Sequence, residues 1–147
     1  STMLRLLDST GLRALVQAFV RRKPVLGTCA GLILLARDAD RLPAPTLGAI
    51  DVSASRNAWG RQVHSFTGGV HVAPLGGDVQ GVFIRAPRVT RVGRGVEVIA
   101  TYDGEPVGVR QGLAVAIAFH PELTGDTRLH EWFLRAVAKL ELPGSAR

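Results

Sequence analysis

Residues 24 to 36 read Pro24-Val25-Leu26-Gly27-Thr28-Cys29-Ala30-Gly31-Leu32-Ile33-Leu34-Leu35-Ala36. The mostly apolar segment 24–28 predicts a short buried strand. The segment 30–36 is an apolar run that predicts a buried helix. Cys29 therefore lies at a strand-to-helix turn, a connection that is typical of an α/β fold.

Helices are expected on both sides of this turn. Apolar residues recur at helical spacing from Met3 to Arg22, and Gly11 marks a break or turn that divides this stretch into a helix or helix pair. Near the other end, Asp126 is expected to cap a helix that runs to about Leu140. The apolar face of that helix consists of Leu129, Trp132, Phe133, Ala136, Val137 and Leu140.

The middle of the chain is predicted to be mostly strand, divided by glycine-rich turns and by a proline-rich surface loop over 41–45. With the helices, these strands predict an α/β fold with a mixed sheet in one domain over residues 1–147. The expected strands are Gly48–Ala54, Ser65–Ala73, Gly81–Ala86, Val96–Tyr102, Pro106–Arg110 and Leu113–Phe119.

Composition excludes several classes of protein. The chain has 147 residues, 46% of them hydrophobic, and its single cysteine excludes an internal disulfide and a multi-cysteine zinc site. Its histidines show no H-x-x-x-H pair that would favour another metal site. No apolar run reaches the ~20 residues that span a bilayer, and the first residues lack the layout of a signal peptide. A cytoplasmic protein without a membrane partner is the expectation.

The net charge of +6 raises the alternative of a nucleic-acid-binding module. The basic residues are scattered from Arg5 to Arg147, and their longest run is Arg21-Arg22-Lys23 at the end of a predicted helix. Aromatic residues are few and do not alternate with basic ones. We therefore interpret the charge as a solvated surface and expect no nucleic-acid partner.

Cys29 lies in Gly27-Thr28-Cys29-Ala30-Gly31, which has the form of a nucleophile elbow with Cys in place of Ser. Small flanking residues permit a tight turn that exposes the sulfur, and the helix N-terminus is expected to lower the pKa of the thiol. The backbone N–H of Ala30 would supply one donor of an oxyanion hole. A buried, inert cysteine at a glycine-rich strand end would have the same sequence.

A second candidate is His120-Pro121-Glu122, directly after the apolar segment 113–119. Two residues apart at a strand end, the carboxylate can orient the imidazole while the other ring nitrogen faces a nucleophile. A core histidine beside a solvated carboxylate is the alternative. The remaining histidines, His64, His71 and His130, have no acid at a useful spacing and are expected to be solvated or packed.

Four motifs together resemble the class I, triad-type glutamine amidotransferases, and within them the glutaminase subunits of pyridoxal 5′-phosphate synthase. The resemblance extends from Ser1 to about Leu140 and implies a flavodoxin-like three-layer sandwich. The motifs are the segment 27–36 quoted above, Arg56-Asn57-Ala58-Trp59-Gly60-Arg61-Gln62, Val82-Phe83-Ile84-Arg85-Ala86-Pro87 and Phe119-His120-Pro121-Glu122-Leu123-Thr124.

The resemblance implies a role for each site residue. Cys29 would be the nucleophile, His120 the general base and then acid, and Glu122 the orienting carboxylate. Arg56 and the pair Ile84-Arg85 would contact glutamine, with Arg56 on its α-carboxylate. The implied reaction is hydrolysis of L-glutamine through a γ-glutamyl thioester, without a cofactor or metal. Ammonia would pass to a synthase subunit that makes pyridoxal 5′-phosphate and switches the glutaminase on.

Ser1-Thr2-Met3 resembles the residues that follow the family's Gly-Gly-Glu-Ser segment. We therefore expect the family's N-terminal strands, with one oxyanion donor and part of the glutamine-binding wall, to be missing from this chain. Two further alternatives follow: an inactive remnant that only binds the synthase, and a related cysteine hydrolase. The arginine-containing motifs over 56–62 and 82–87 argue against the hydrolase.

Overall fold

The two predicted N-terminal helices are present in the computed structural model, which describes residues 2–42, 44–56 and 65–144. They are α1 (Thr2–Ser9) and α2 (Arg13–Arg22). Gly11 has a φ of 71° in the turn between them. The predicted break at Gly11 is confirmed, since the left-handed region is readily adopted by glycine.

The strand-to-helix turn is also present, between β1 (Val25–Thr28) and α3 (Ala30–Leu35). A Cβ placed on Gly27 would lie 2.7 Å from both the Gly31 carbonyl oxygen and a Leu35 methyl carbon. A side chain at this position would force the strand and the helix apart. Glycine is therefore required here for close packing of β1 against α3.

β1 belongs to a sheet whose other strands are β4 (Ser65–Val72), β5 (Gly77–Ile84), β7 (Glu97–Tyr102), β8 (Glu105–Gln111) and β9 (Ala114–Ile117). The six strands lie in the order β1-β9-β8-β7-β4-β5. Among the described residues of this sheet, β1 and β9 form the parallel pair, in which Thr28 lies opposite Ile117. The other neighbouring strands pair in antiparallel fashion.

A second sheet has three strands: β2 (Ala36–Ala39), β3 (Ile50–Ser55) and β6 (Arg88–Val92). β2 runs parallel to β3, and β6 runs antiparallel to it. Neither β2 nor β6 was predicted. Both are short and half exposed, with arginines on their solvent side, so their apolar signal is weak.

Both sheets mix parallel and antiparallel pairs, and helices and strands lie in a three-layer arrangement. The predicted α/β fold with mixed strand pairing is therefore confirmed. β1 lies at an edge of the described sheet, with β9 as its paired neighbour there.

The C-terminal helix is shorter than predicted. It comprises α4 (Arg128–Trp132), which continues as a π-helical turn over Phe133–Val137. The residue in the N-cap position is Thr127 rather than the predicted Asp126, and its side chain makes no capping hydrogen bond. Asp126, one residue earlier, accepts a hydrogen bond of 3.0 Å from the backbone N–H of Arg128. Lys139 has a φ of 58°, and this left-handed residue ends the helix before Leu140.

No helix in the described ranges combines the length and the apolar character needed to cross a bilayer.

The aromatic core positions the ends of β5 and β9. Phe83 and Phe119 are fully buried, and their ring centroids lie 5.6 Å apart. Phe66 stacks on Phe83 with ring centroids 4.6 Å apart. Because Phe83 precedes Ile84-Arg85 and Phe119 precedes His120, this aromatic contact fixes the end of β5 beside the end of β9.

Candidate active site

Cys29 occupies a strained elbow between β1 and α3. Its φ of 52° and ψ of −106° fall outside the regions that side chains with a Cβ usually adopt. Its backbone N–H donates a hydrogen bond of 2.8 Å to the Ile117 carbonyl, which anchors the elbow to β9. Strain of this kind is stored at functional sites, where it directs a side chain out of the sheet.

The Cys29 thiol is half-buried and donates a hydrogen bond to the Ile84 carbonyl oxygen at 3.6 Å. Burial raises its pKa, the Ala30 N–H lowers it, and the negative charge of Glu122 raises it again. The net direction is upward from the ordinary value of 9.0. The predicted lowering of this pKa is therefore wrong for this state, because burial outweighs the helix N-terminus.

His120 and Glu122 form a hydrogen-bonded pair after β9. His120 Nδ1 lies 2.6 Å from Glu122 Oε1, and a short 3₁₀ turn over Pro121–Leu123 brings the carboxylate back toward the ring. The backbone N–H of His120 donates to the Val82 carbonyl at 2.8 Å. The imidazole is 22% exposed and the carboxylate 46% exposed, so the pair is held at the protein surface.

The Glu122 carboxyl of this pair has a lowered pKa. Burial acts to raise the pKa of Glu122, but the hydrogen bond from His120, the backbone N–H of Glu122 and the charges of His120 and His130 outweigh it. The pKa of Glu122 therefore lies below 4.5, and the group is ionised at neutral pH. A carboxylate accepts from Nδ1–H, which assigns the lone pair of the neutral ring to Nε2. Nε2 is then the nitrogen able to take up a proton.

The parallel pairing of β1 with β9 brings the two candidates to one edge of the sheet. Cys29 follows Thr28, and His120 lies three residues after Ile117, the register partner of Thr28. The electrostatic effect of Glu122 on Cys29 reflects this proximity. The thiol donates its hydrogen bond to the Ile84 carbonyl rather than to the imidazole.

A cavity of about 290 Å³ opens beside the cysteine. Arg56, from the end of β3, and Arg85, from the end of β5, reach it from different sheets. The structure thus brings together Cys29 and two arginines that are distant in sequence. Its lining consists of Thr2, Met3, Cys29, Ala30, Ile33, Arg56, Arg85 and Pro87.

Ile84 contributes through its backbone, since its carbonyl contacts the thiol while its side chain is exposed. Arg85 has a φ of 43°, an uncommon conformation for a residue with a side chain. The chain therefore turns sharply where β5 ends, beside Cys29. The rest of the motif that begins at Arg56, residues 57–62, lies outside the described residues.

The other histidines take different positions. His71 is exposed, as expected of a solvated histidine, and its Nδ1 lies 3.1 Å from Asp78 Oδ1 across the β4–β5 hairpin. The acid comes from the neighbouring strand, which sequence spacing does not show. His130 acts on the pKa of Glu122. His64 lies outside the described residues.

Over residues 2–42, 44–56 and 65–144, no three histidine, cysteine, aspartate or glutamate side chains lie close enough together to hold a metal ion.

Asp40 contacts Arg56 beside the cavity, and the sequence did not indicate this contact. It follows β2, and its carboxylate accepts hydrogen bonds from the backbone N–H of Arg56 at 2.9 Å and from the Ser55 hydroxyl at 2.8 Å. These partners lie 16 and 15 residues away along the chain. Without a prediction of β2 there was no signal for this contact.

Known proteins are similar to this chain in sequence. Residues 1–139 match the family described as SNO glutamine amidotransferase. The pyridoxal 5′-phosphate synthase subunit PdxT of Oenococcus oeni is 47% identical over 135 residues, which cover 92% of this chain and 71% of that protein. The PdxT subunit of Koribacter versatilis is 50% identical over 137 residues, covering 93% of this chain and 71% of that protein.

The fold agrees with these similarities in sequence. A crystal structure of a glutamine amidotransferase matches with a TM-score of 0.85 at 45% identity, covering 92% of this chain and 72% of the other. The chain therefore resembles glutamine amidotransferases in both sequence and three-dimensional fold. The chain belongs to the SNO glutamine amidotransferase family.

Proposed function

We propose that the chain hydrolyses L-glutamine to L-glutamate and ammonia, with Cys29, His120 and Glu122 as its catalytic triad. The observation that carries the proposal is their placement at the carboxyl ends of the parallel strands β1 and β9, with His120 bonded to Glu122 at 2.6 Å. Membership of the glutamine amidotransferase family supports the substrate.

Glutamine would bind in the cavity beside Cys29. Arg56 lines it and can hold the α-carboxylate, because a guanidinium presents two parallel N–H donors to the two oxygens. Arg85 and the backbone of Ile84, which lie beside the sulfur, would contact the rest of the substrate. The side-chain amide would then point at Cys29.

Catalysis begins with transfer of the thiol proton to His120 Nε2, which requires the thiol to leave the Ile84 carbonyl. The thiolate attacks the amide carbon, and the backbone N–H of Ala30 donates to the oxyanion that forms. His120 returns its proton to the departing ammonia, and a γ-glutamyl thioester remains on Cys29. His120 then activates water, which hydrolyses the thioester to glutamate and restores the thiol.

We further propose that the ammonia passes to a synthase subunit for pyridoxal 5′-phosphate synthesis, as the names of the PdxT relatives suggest. The raised pKa of Cys29 keeps the thiol protonated, and the thiol is hydrogen-bonded to the Ile84 carbonyl. We interpret this as a resting state that the synthase subunit activates. A cytoplasmic location stays a prediction.

The test is glutamate release from glutamine by this chain with and without the synthase subunit. We expect release to rise when the synthase is added and to disappear in Cys29→Ala, while the variant still binds the synthase. Retained turnover in Cys29→Ala would overturn the assignment of the nucleophile. A folded, synthase-bound chain that releases no glutamate would favour the inactive, partner-binding alternative.

A further inference from the structure

Asp40 joins the ends of two parallel strands beside the cavity. Ala39 at the end of β2 pairs with Ala54 of β3, and the backbone N–H of Asp40 donates to the Ala54 carbonyl at 3.2 Å. One carboxylate oxygen of Asp40 accepts from the Arg56 backbone N–H and the other from the Ser55 hydroxyl. A single side chain therefore holds the two residues with which the chain leaves β3.

Arg41 adds a contact to the side chain of Arg56. Its carbonyl oxygen accepts a hydrogen bond of 3.4 Å from Arg56 Nη1. Arg41 has a φ of 53°, so the backbone turns sharply directly after Asp40. The Asp40-Arg41 turn thus contacts Arg56 at its backbone through a carboxylate and at its guanidinium through a carbonyl.

The negative charge of Asp40 strengthens its hydrogen bonds to Arg56 and Ser55. The hydrogen bonds from the Arg56 backbone and the Ser55 hydroxyl lower the pKa of its carboxyl, and the charges of Arg41 and Arg56 act in the same direction. The group is therefore ionised at neutral pH, and an ionised acceptor forms stronger hydrogen bonds than a neutral one. Asp40 is exposed, so its replacement does not leave a cavity in the core.

We propose that Asp40 is a positioning residue that holds Arg56 in the orientation in which its guanidinium receives the α-carboxylate of glutamine. This inference rests on the proposed function, since it takes the role of Arg56 from there. A guanidinium that binds a carboxylate through two hydrogen bonds binds it more tightly when the arginine backbone is already held in place. Asp40 itself does not line the cavity, so it acts through Arg56.

The experiment compares Asp40→Ala and Asp40→Asn in the full chain assembled with its synthase partner. We expect Asp40→Ala to raise the KM for glutamine about five- to tenfold with kcat within about twofold, the pattern of lost ground-state binding. Asp40→Asn keeps an acceptor for the Arg56 N–H, so its KM should stay within about twofold of that of the unsubstituted chain. Asp38→Ala, two residues earlier on β2, is the matched control and should leave both constants unchanged.

A binding measurement separates this inference from the proposed function. In the Cys29→Ala background, which cannot turn glutamine over, calorimetry gives the Kd for glutamine directly. We expect Asp40→Ala and Arg56→Lys each to weaken that Kd, and Asp40→Asn to retain it. A weakened Kd in Arg56→Lys with an unchanged Kd in Asp40→Ala would overturn the positioning role alone.

Three other outcomes would also overturn the inference. An unchanged Kd in Arg56→Lys, or no glutamine binding by the Cys29→Ala assembly, would refute the proposed glutamine site and the positioning role with it. A lower melting temperature in Asp40→Ala together with reduced kcat and unchanged KM would show that Asp40 only stabilises the strand ends.

Discussion

At the scale of single residues, the Glu122 carboxylate determines which nitrogen of His120 can act as a base. Its bond to Nδ1 leaves Nε2 with the lone pair, and its lowered pKa keeps the group ionised. An amide in its place would preserve the shape of the side chain but would also stabilise the wrong tautomer.

Glu122→Gln should therefore reduce kcat by about a hundredfold, within the range that a positioned acid–base group contributes. KM for glutamine should change little, because Glu122 is not among the residues lining the cavity. Steady-state glutamate release in the presence of the synthase measures both constants. An unchanged kcat would remove Glu122 from the triad.

The reactivity of Cys29 gives a second prediction at this scale. Because its pKa is raised by burial, the thiol stays protonated at neutral pH in the free chain, and alkylation should become rapid only above the ordinary value of 9.0. The rate of iodoacetamide labelling as a function of pH measures this midpoint.

Glu122→Gln provides the control for that experiment. The charge of Glu122 raises the pKa of Cys29, so removing it should shift the labelling midpoint to lower pH. A midpoint near neutral pH in the original chain would contradict the structural account of the resting thiol.

At the scale of elements, the packing of β1 against α3 holds the elbow in place. A Cβ on Gly27 would collide with the Gly31 carbonyl and with Leu35, whereas a Cβ on Gly31 would meet no atom within 4 Å. The two glycines of the motif therefore have different roles. Gly27 permits close packing of β1 against α3, whereas a larger residue would fit at Gly31.

This difference predicts opposite effects on stability. Gly27→Ala should lower the free energy of unfolding by about 1–3 kcal/mol, as expected when a group is forced into a packed contact. Gly31→Ala, at a helical position with room, should raise it by about 0.5–1 kcal/mol. Urea denaturation of the two variants measures both values, and equal destabilisation would contradict the packing account.

Elements with a strong local signal could be predicted from the sequence. The β1–α3 turn, the break at Gly11 and the β9 strand each combine apolar runs with turn residues, and all three are present. β2 and β6 were missed because they are short and half exposed, so that their apolar signal is weak. The π-helical turn over Phe133–Val137 was missed because its apolar spacing is compatible with an ordinary α-helix.

At the scale of the whole molecule, the candidate site draws on both sheets. Cys29, His120 and Arg85 follow strands of the six-stranded sheet, while Arg56 follows β3 of the other. Cys29 and the His120–Glu122 pair could be indicated by local motifs. Arg56 and Arg85 could be identified from the sequence only through the family resemblance. Asp40 could not be identified, because its contact with Arg56 depends on the pairing of β2 with β3.

In the proposed reaction, Cys29 forms a covalent γ-glutamyl intermediate. The most direct test is mass spectrometry of the chain after acid quench during turnover of glutamine in the presence of the synthase. We expect a γ-glutamyl group on the peptide that contains Cys29, and no such group in the Cys29→Ala variant. Turnover with the adduct on another residue, or undiminished turnover in Cys29→Ala, would contradict this expectation.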